Sequence, residues 1–146
     1  VTDGERIAKE KGLPKILIDF IVSHHGTTRV EYFYQKARQD NPDMTIDPNN
    51  FKYPGPNPNT KEHVIMMLAD SIEAASKTLK NPTEETIEQL VEKITTGKIT
   101  QFQFINAQLT FEELEKIKAV FKRVLKSIYH NRIVYPDDMK QLSSGE

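Results

Sequence analysis

The amino-acid sequence predicts an all-α fold, and three observations carry that prediction. Apolar residues recur at spacings of three and four along most of the chain, the period of an amphipathic helix. Those stretches open on helix-capping residues and close on Gly or Pro. No internal repeat or low-complexity segment breaks the pattern. At 146 residues the chain suits one domain with its own core.

The elements follow in order. Thr2 or Asp3 caps a short helix through Ala8 to Lys11, which Gly12 ends. Pro14 suits the first turn of a second helix, where Leu17, Phe20, Ile21 and His24 share a stripe widened by Ile18 and Val22, and Gly26 stops it. A third helix is expected from Arg29 to about Gln39 with Val30, Phe33, Tyr34 and Ala37 inward, although its β-branched and aromatic content leaves a strand open. Residues 41–59 hold five of the eight prolines and have no periodicity. Proline lacks the amide donor and disfavours helix before it, so this stretch is either a functional, lid-like strap or a loose surface excursion.

Thr60 is expected to cap a helix reaching about Leu79. Its run Val64-Ile65-Met66-Met67-Leu68-Ala69 is apolar nearly all round, the mark of a central, buried helix. Asn81-Pro82 breaks it. Thr83 opens a fifth helix with Ile87, Leu90, Val91 and Ile94 inward, ending at Gly97. Residues 102–109 are ambiguous. Thr110-Phe111-Glu112-Glu113 is a capping box, and the helix behind it turns Leu114, Ile117, Val120, Phe121, Val124, Leu125 and Ile128 inward. The domain is expected over 1–136, with a polar tail over 137–146.

Composition narrows the function. Twenty Lys and Arg against 21 Asp and Glu give a net charge of -1, which argues against a general binder of DNA or RNA. A mean hydropathy of -0.58 and the lack of an 18-residue apolar run exclude a membrane span within the chain. With no cysteine there are no disulfides, thiolate metal sites or cysteine nucleophiles. Glycine-rich nucleotide-binding loops, GxSxG and HExxH are absent too.

Two features stand out. His24-His25 closes an apolar helix just before Gly26-Thr27-Thr28-Arg29. Without cysteine, imidazole and carboxylate are the strong first-row metal ligands on offer. Neighbouring helical residues point about 100° apart, so both rings reach one ion only where the helix unwinds, as Gly26 allows. One buried, satisfied histidine beside one solvated histidine is the other reading. Asp70 is the second feature, placed mid-helix among apolar and small residues, where an ionised carboxylate is costly without a cation or several donors. A cap or an interhelical salt bridge is its alternative. His63 reads as a first-turn surface residue, and His130 suits a helix C-terminus. Arg29, Lys36 and Lys61 have the charge for phosphate contacts; Tyr32, Tyr34, Phe51 and Tyr53 have rings for base stacking, or for the core.

These residues are also familiar in combination. Leu13-Pro14, Ile18-Asp19-Phe20-Ile21, His24-His25-Gly26-Thr27-Thr28, Phe51-Lys52-Tyr53-Pro54-Gly55-Pro56 and Met67-Leu68-Ala69-Asp70-Ser71-Ile72-Glu73-Ala74-Ala75 resemble, in this order, the HD-superfamily phosphohydrolase domain of the PgpH-type seven-transmembrane HD proteins. The segment from Thr110 and Tyr129-His130-Asn131-Arg132-Ile133 resemble that domain's end. The resemblance implies an HD-like helical bundle with two divalent transition metals, manganese or iron. It implies metal-assisted hydrolysis of cyclic-di-AMP to the linear dinucleotide by in-line attack on phosphorus. Matched motif to motif, His24 and His25 would ligate one metal and Asp70 the other. Thr27, Thr28, Arg29 and Lys61 would contact phosphate, and Tyr53 would cover adenine. It further implies a cytoplasmic domain of an integral membrane protein.

The early His and the His-Asp dipeptide that name the superfamily are absent from these residues. The expectation is therefore a C-terminal portion of the domain, incomplete on its N-terminal side, catalytically weak alone, binding little or no metal, and prone to dimerise through uncovered apolar surface. Two alternatives stand: a degenerate HD domain serving as nucleotide sensor or helical interaction module, and an HD phosphohydrolase for another nucleotide.

Overall fold

The computed structural model describes residues 1–80 and 82–130. Among the described residues it holds six α-helices and no strand: α1 (Thr2–Glu10), α2 (Lys15–Ser23), α3 (Glu31–Asp40), α4 (Lys61–Ser76), α5 (Glu84–Thr100) and α6 (Phe111–His130), with a 3-10 turn at Pro48–Phe51. The all-α expectation holds. The tail from 137 to 146 and Asn131–Ile133 lie outside the described residues.

Helices α4, α5 and α6 form the core, where Val64, Leu68 and Ile72 meet Ile87, Val91, Leu114 and Leu125. Burying such side chains stabilises by about 1.5–3 kcal/mol each relative to leaving them exposed. Side chains cap all three starts. The Thr60 and Thr83 hydroxyls accept from the amides of His63 and Thr86, and Thr110 and Glu113 bond reciprocally. The α1–α2 pair packs onto this core through α2 against α4.

Several expectations are corrected. Helix α5 runs through Gly97 to Thr100, because nothing crowds Gly97 and its φ is not positive. Helix α4 stops at Ser76 and is not buried all round: Ile65 and Met66 are over two-fifths exposed. Leu17, Phe33, Val120, Val124 and Ile128, expected inward, are likewise exposed, since no described element covers those faces of α2, α3 and α6. The open strand alternative for α3 resolves to helix.

Residues 41–59 form a strap rather than a loose excursion. The Val30 amide donates to the Phe51 carbonyl at 2.7 Å and the Tyr53 amide to the Thr28 carbonyl at 3.0 Å, around an antiparallel bridge between Arg29 and Lys52. These bonds lay Tyr53 over the end of α2.

Candidate functional site

Helix α2 ends at Ser23, and Gly26 turns the chain away with φ +55°, a left-handed conformation open to glycine without strain. Space forbids a side chain as well: a Cβ there would lie 2.3 Å from Gln103 Oε1 and 2.7 Å from Met67 Cε. In this unwound turn the His24 and His25 rings lie 4.0 Å apart, tilted by 40°. His24 Nδ1 donates to the Ile21 carbonyl at 2.8 Å, which leaves Nε2 as the ring nitrogen for a ligand.

His25 faces α4. Its Nδ1 lies 3.5 Å from Asp70 Oδ2, and Tyr53 stacks on its ring at 4.3 Å. Burial, reinforced by His24, lowers its pKa against the opposing pull of Asp70, so the ring is neutral at pH 7 with a lone pair to offer. Asp70 departs from expectation in one respect, because its side chain is 41% exposed. It sits two residues from both Leu68 and Ile72, which places it on the far flank of α4 from the core stripe.

The turn is held from two sides. The Thr27 amide donates to Gln103 Oε1 (2.9 Å) and Asn57 Oδ1 (3.1 Å). Its hydroxyl donates to Asn57 at 2.7 Å and accepts from Gln103 Nε2 at 3.1 Å. Thr27 is thus fully engaged in shaping the turn. Thr28 Oγ1 accepts from Lys98 Nζ at 3.0 Å. Arg29 pairs with Glu31 at 2.7 Å and lies 4.4 Å over the Tyr34 ring. Lys61 is not brought to this place: it pairs with Glu113, nine residues and roughly 13 Å along α4 from Asp70. His63 corrects the surface reading. It is 8% exposed, donates from Nδ1 to Asn59 at 2.8 Å, and meets Phe20 edge-on, because α2 and the end of the strap cover it.

Three residues here were not singled out by sequence. Asn57 and Gln103 carry no motif. Lys98 did leave a signal, since it continues the buried α5 stripe of Ile87, Val91 and Thr95, where a lysine is out of place. It is 8% exposed, and burial pulls its pKa down to about 8 against the raising influence of Asp70.

The donors fit a divalent transition metal in type. They comprise neutral imidazole nitrogen and carboxylate oxygen, and two ligands of one ion with bonds near 2.1 Å sit about 3 Å apart, close to the His25–Asp70 separation. In number they fall short. Among the described residues no group of three or more His, Asp or Glu side chains gathers tightly enough to hold an ion.

No family model matches the chain. It is 40% identical over 141 residues to the cyclic-di-AMP phosphodiesterase PgpH of Bacillus subtilis, covering 97% of this chain and 20% of that protein. Against the PgpH of Listeria monocytogenes it is 39% identical over 136 residues, covering 93% and 19%. The crystal structure of the Listeria monocytogenes PgpH HD domain in complex with cyclic-di-AMP superposes with a TM-score of 0.83 at 36% identity, over 88% of this chain and 59% of that one. The chain therefore spans about a fifth of the curated relatives and under two thirds of the solved domain. Along the part that it spans, it is homologous to the HD domain of the PgpH cyclic-di-AMP phosphodiesterases.

Proposed function

We propose that this chain forms part of a metal-dependent phosphodiesterase that hydrolyses cyclic-di-AMP to the linear dinucleotide. The observation that carries the reading is the meeting of His25 with Asp70 at 3.5 Å beside the second imidazole of His24. The HD phosphohydrolase family implies divalent metal. Here His24, His25 and Asp70 would supply part of its ligand set, and manganese and iron both suit these donors. When bound, such an ion supplies Lewis-acid polarisation of the phosphate.

The chain's own residues prepare the place. Gln103 and Asn57 fix the turn through Thr27, so both rings are oriented before any ligand arrives. Tyr53 covers one face of His25, restricts its rotation and screens it from water. Its placement beside the imidazoles also supports a contact with the adenine. Thr28 lies on the same turn and supports a phosphate contact. Arg29 is already committed to Glu31, and Lys61 to Glu113, so neither favours that role.

Three donors are fewer than two metals require, so this 146-residue chain alone is expected to turn over slowly and hold metal weakly. The test is cyclic-di-AMP hydrolysis with added manganese, by this chain and by a complete HD domain containing it. Asp70→Ala is expected to abolish turnover of the complete domain. Unchanged turnover overturns the reading, and robust hydrolysis by this chain alone overturns the three-donor argument. Placement on a membrane-anchored protein with this domain in the cytoplasm belongs to the same proposal and rests on the motif resemblance; no helix among the described residues is long and apolar enough to cross a membrane. Exposed Ile16, Leu17, Val120 and Val124 support self-association, which light scattering of a concentrated sample checks.

A further inference from the structure

Lys98 and Lys118 are equally buried, each 8% exposed, yet their surroundings differ. Lys118 is held by two carboxylates, Glu92 at 2.8 Å and Glu115 at 2.6 Å. The hydrogen bond of Lys98 goes to one neutral oxygen, Thr28 Oγ1 at 3.0 Å, and among the described residues no carboxylate comes within 4 Å of its ammonium. An ammonium has three donors, so two remain for another acceptor. A tie to Thr28 needs no charge; a neutral amide would serve it. Burying a cation without an anion is costly, and sites retain such a group where an anionic ligand completes it. The location agrees, because the Thr28 that holds the ammonium is three residues beyond His25, on the turn that carries both imidazoles.

We propose that Lys98, aligned by Thr28, is a substrate-binding residue whose ammonium takes a non-bridging phosphate oxygen of the nucleotide. This deepens the phosphodiesterase reading and rests on it. Its role is recognition of the phosphate, as distinct from metal ligation. Thr28 then acts as a positioning residue: its oxygen is used by the lysine, and its hydroxyl proton is left for an acceptor.

The experiment measures binding of cyclic-di-AMP and of adenosine, by calorimetry at low salt without added metal, to a complete HD domain containing this chain and to its Lys98→Met, Lys98→Arg and Thr28→Val variants. Circular dichroism confirms that each is folded. Lys98→Met is expected to weaken cyclic-di-AMP binding at least tenfold and to flatten its dependence on salt. Adenosine, which has no phosphate, is expected to be unaffected. Lys98→Arg should stay within about threefold of the parent domain, and Thr28→Val should fall between. A folded Lys98→Met domain that binds cyclic-di-AMP as the parent does, or that loses adenosine equally, overturns the phosphate role and leaves the phosphodiesterase reading intact. A parent domain that binds neither ligand overturns both.

Discussion

The side-chain oxygen of Gln103 lies 2.9 Å from the backbone nitrogen of Thr27, so the α5–α6 connection shapes the turn that carries both imidazoles. Gln103 is 1% exposed and also donates to the Gln101 carbonyl at 2.8 Å, which locks its amide in one orientation. Residues far apart in sequence are thereby bonded to one another, with the strap joined to them through Asn57.

Gly26→Ala is expected to be strongly destabilising. A left-handed φ of +55° costs a non-glycine residue about 1–2 kcal/mol, and the added carbon would overlap Gln103 and Met67 for about 1–3 kcal/mol more. Urea denaturation measures the loss. A variant within 0.5 kcal/mol of the parent, roughly the noise of surface changes, would show that the turn relaxes freely.

Gln103→Ala is expected to cost about 1–3 kcal/mol, because it strips a buried amide and a hydroxyl of partners. The damage should also be local. Hydrogen exchange at the Thr27 amide is expected to accelerate more than exchange at Leu68 in the core; equal acceleration at both would mean that the turn is not a separate unit.

How much of this was legible in the sequence differs between fold and site. The caps at Thr60, Thr83 and Thr110 were readable because a hydroxyl bonding an amide three residues on is a local event. The exposed Val120 and Val124 were not, since periodicity identifies an apolar face without saying whether a neighbour covers it. Helix α5 passes Gly97 because a glycine ends a helix only when the backbone turns left-handed there. In the site, His24, His25 and Asp70 drew attention as rare chemistry in apolar surroundings, yet Asp70 is half exposed, because its own side of α4 is not the core side. Asn57 and Gln103 look like surface residues until the fold brings them to Thr27. His63 looked like one and is buried by Phe20 and Asn59.

Thr95→Val is expected to raise stability. Thr95 is 2% exposed, and its hydroxyl is, among the described residues, the buried side-chain polar atom with no hydrogen-bond partner. Valine keeps the shape and the β-branch while removing an oxygen whose burial costs about 1–3 kcal/mol. Thermal melting should show a rise of a few degrees. A fall would mean that the hydroxyl is bonded in solution, through water or a ligand.

Lys98→Met is expected to stabilise the chain at neutral pH while weakening the nucleotide site, and the gain should depend on pH in one direction. The folded state holds the Lys98 pKa at about 8, below its ordinary 10.5. Between those values the unfolded chain binds more protons than the folded one, so the stability of the parent rises with pH across that window. Below pH 8 the lysine is charged in both states and the burial penalty is complete, of the order of 3 kcal/mol before the lost Thr28 bond is set against it. The methionine variant carries no such dependence at this position. Its advantage should therefore be greatest at pH 7 and shrink steadily towards pH 10.5. Urea titrations of both chains at pH 7, 9 and 10.5 measure this directly. A gap that stays constant with pH would mean that the ammonium is better solvated than its 8% exposure implies, and a variant less stable than the parent at pH 7 would mean that the bond to Thr28 outweighs the burial of the charge.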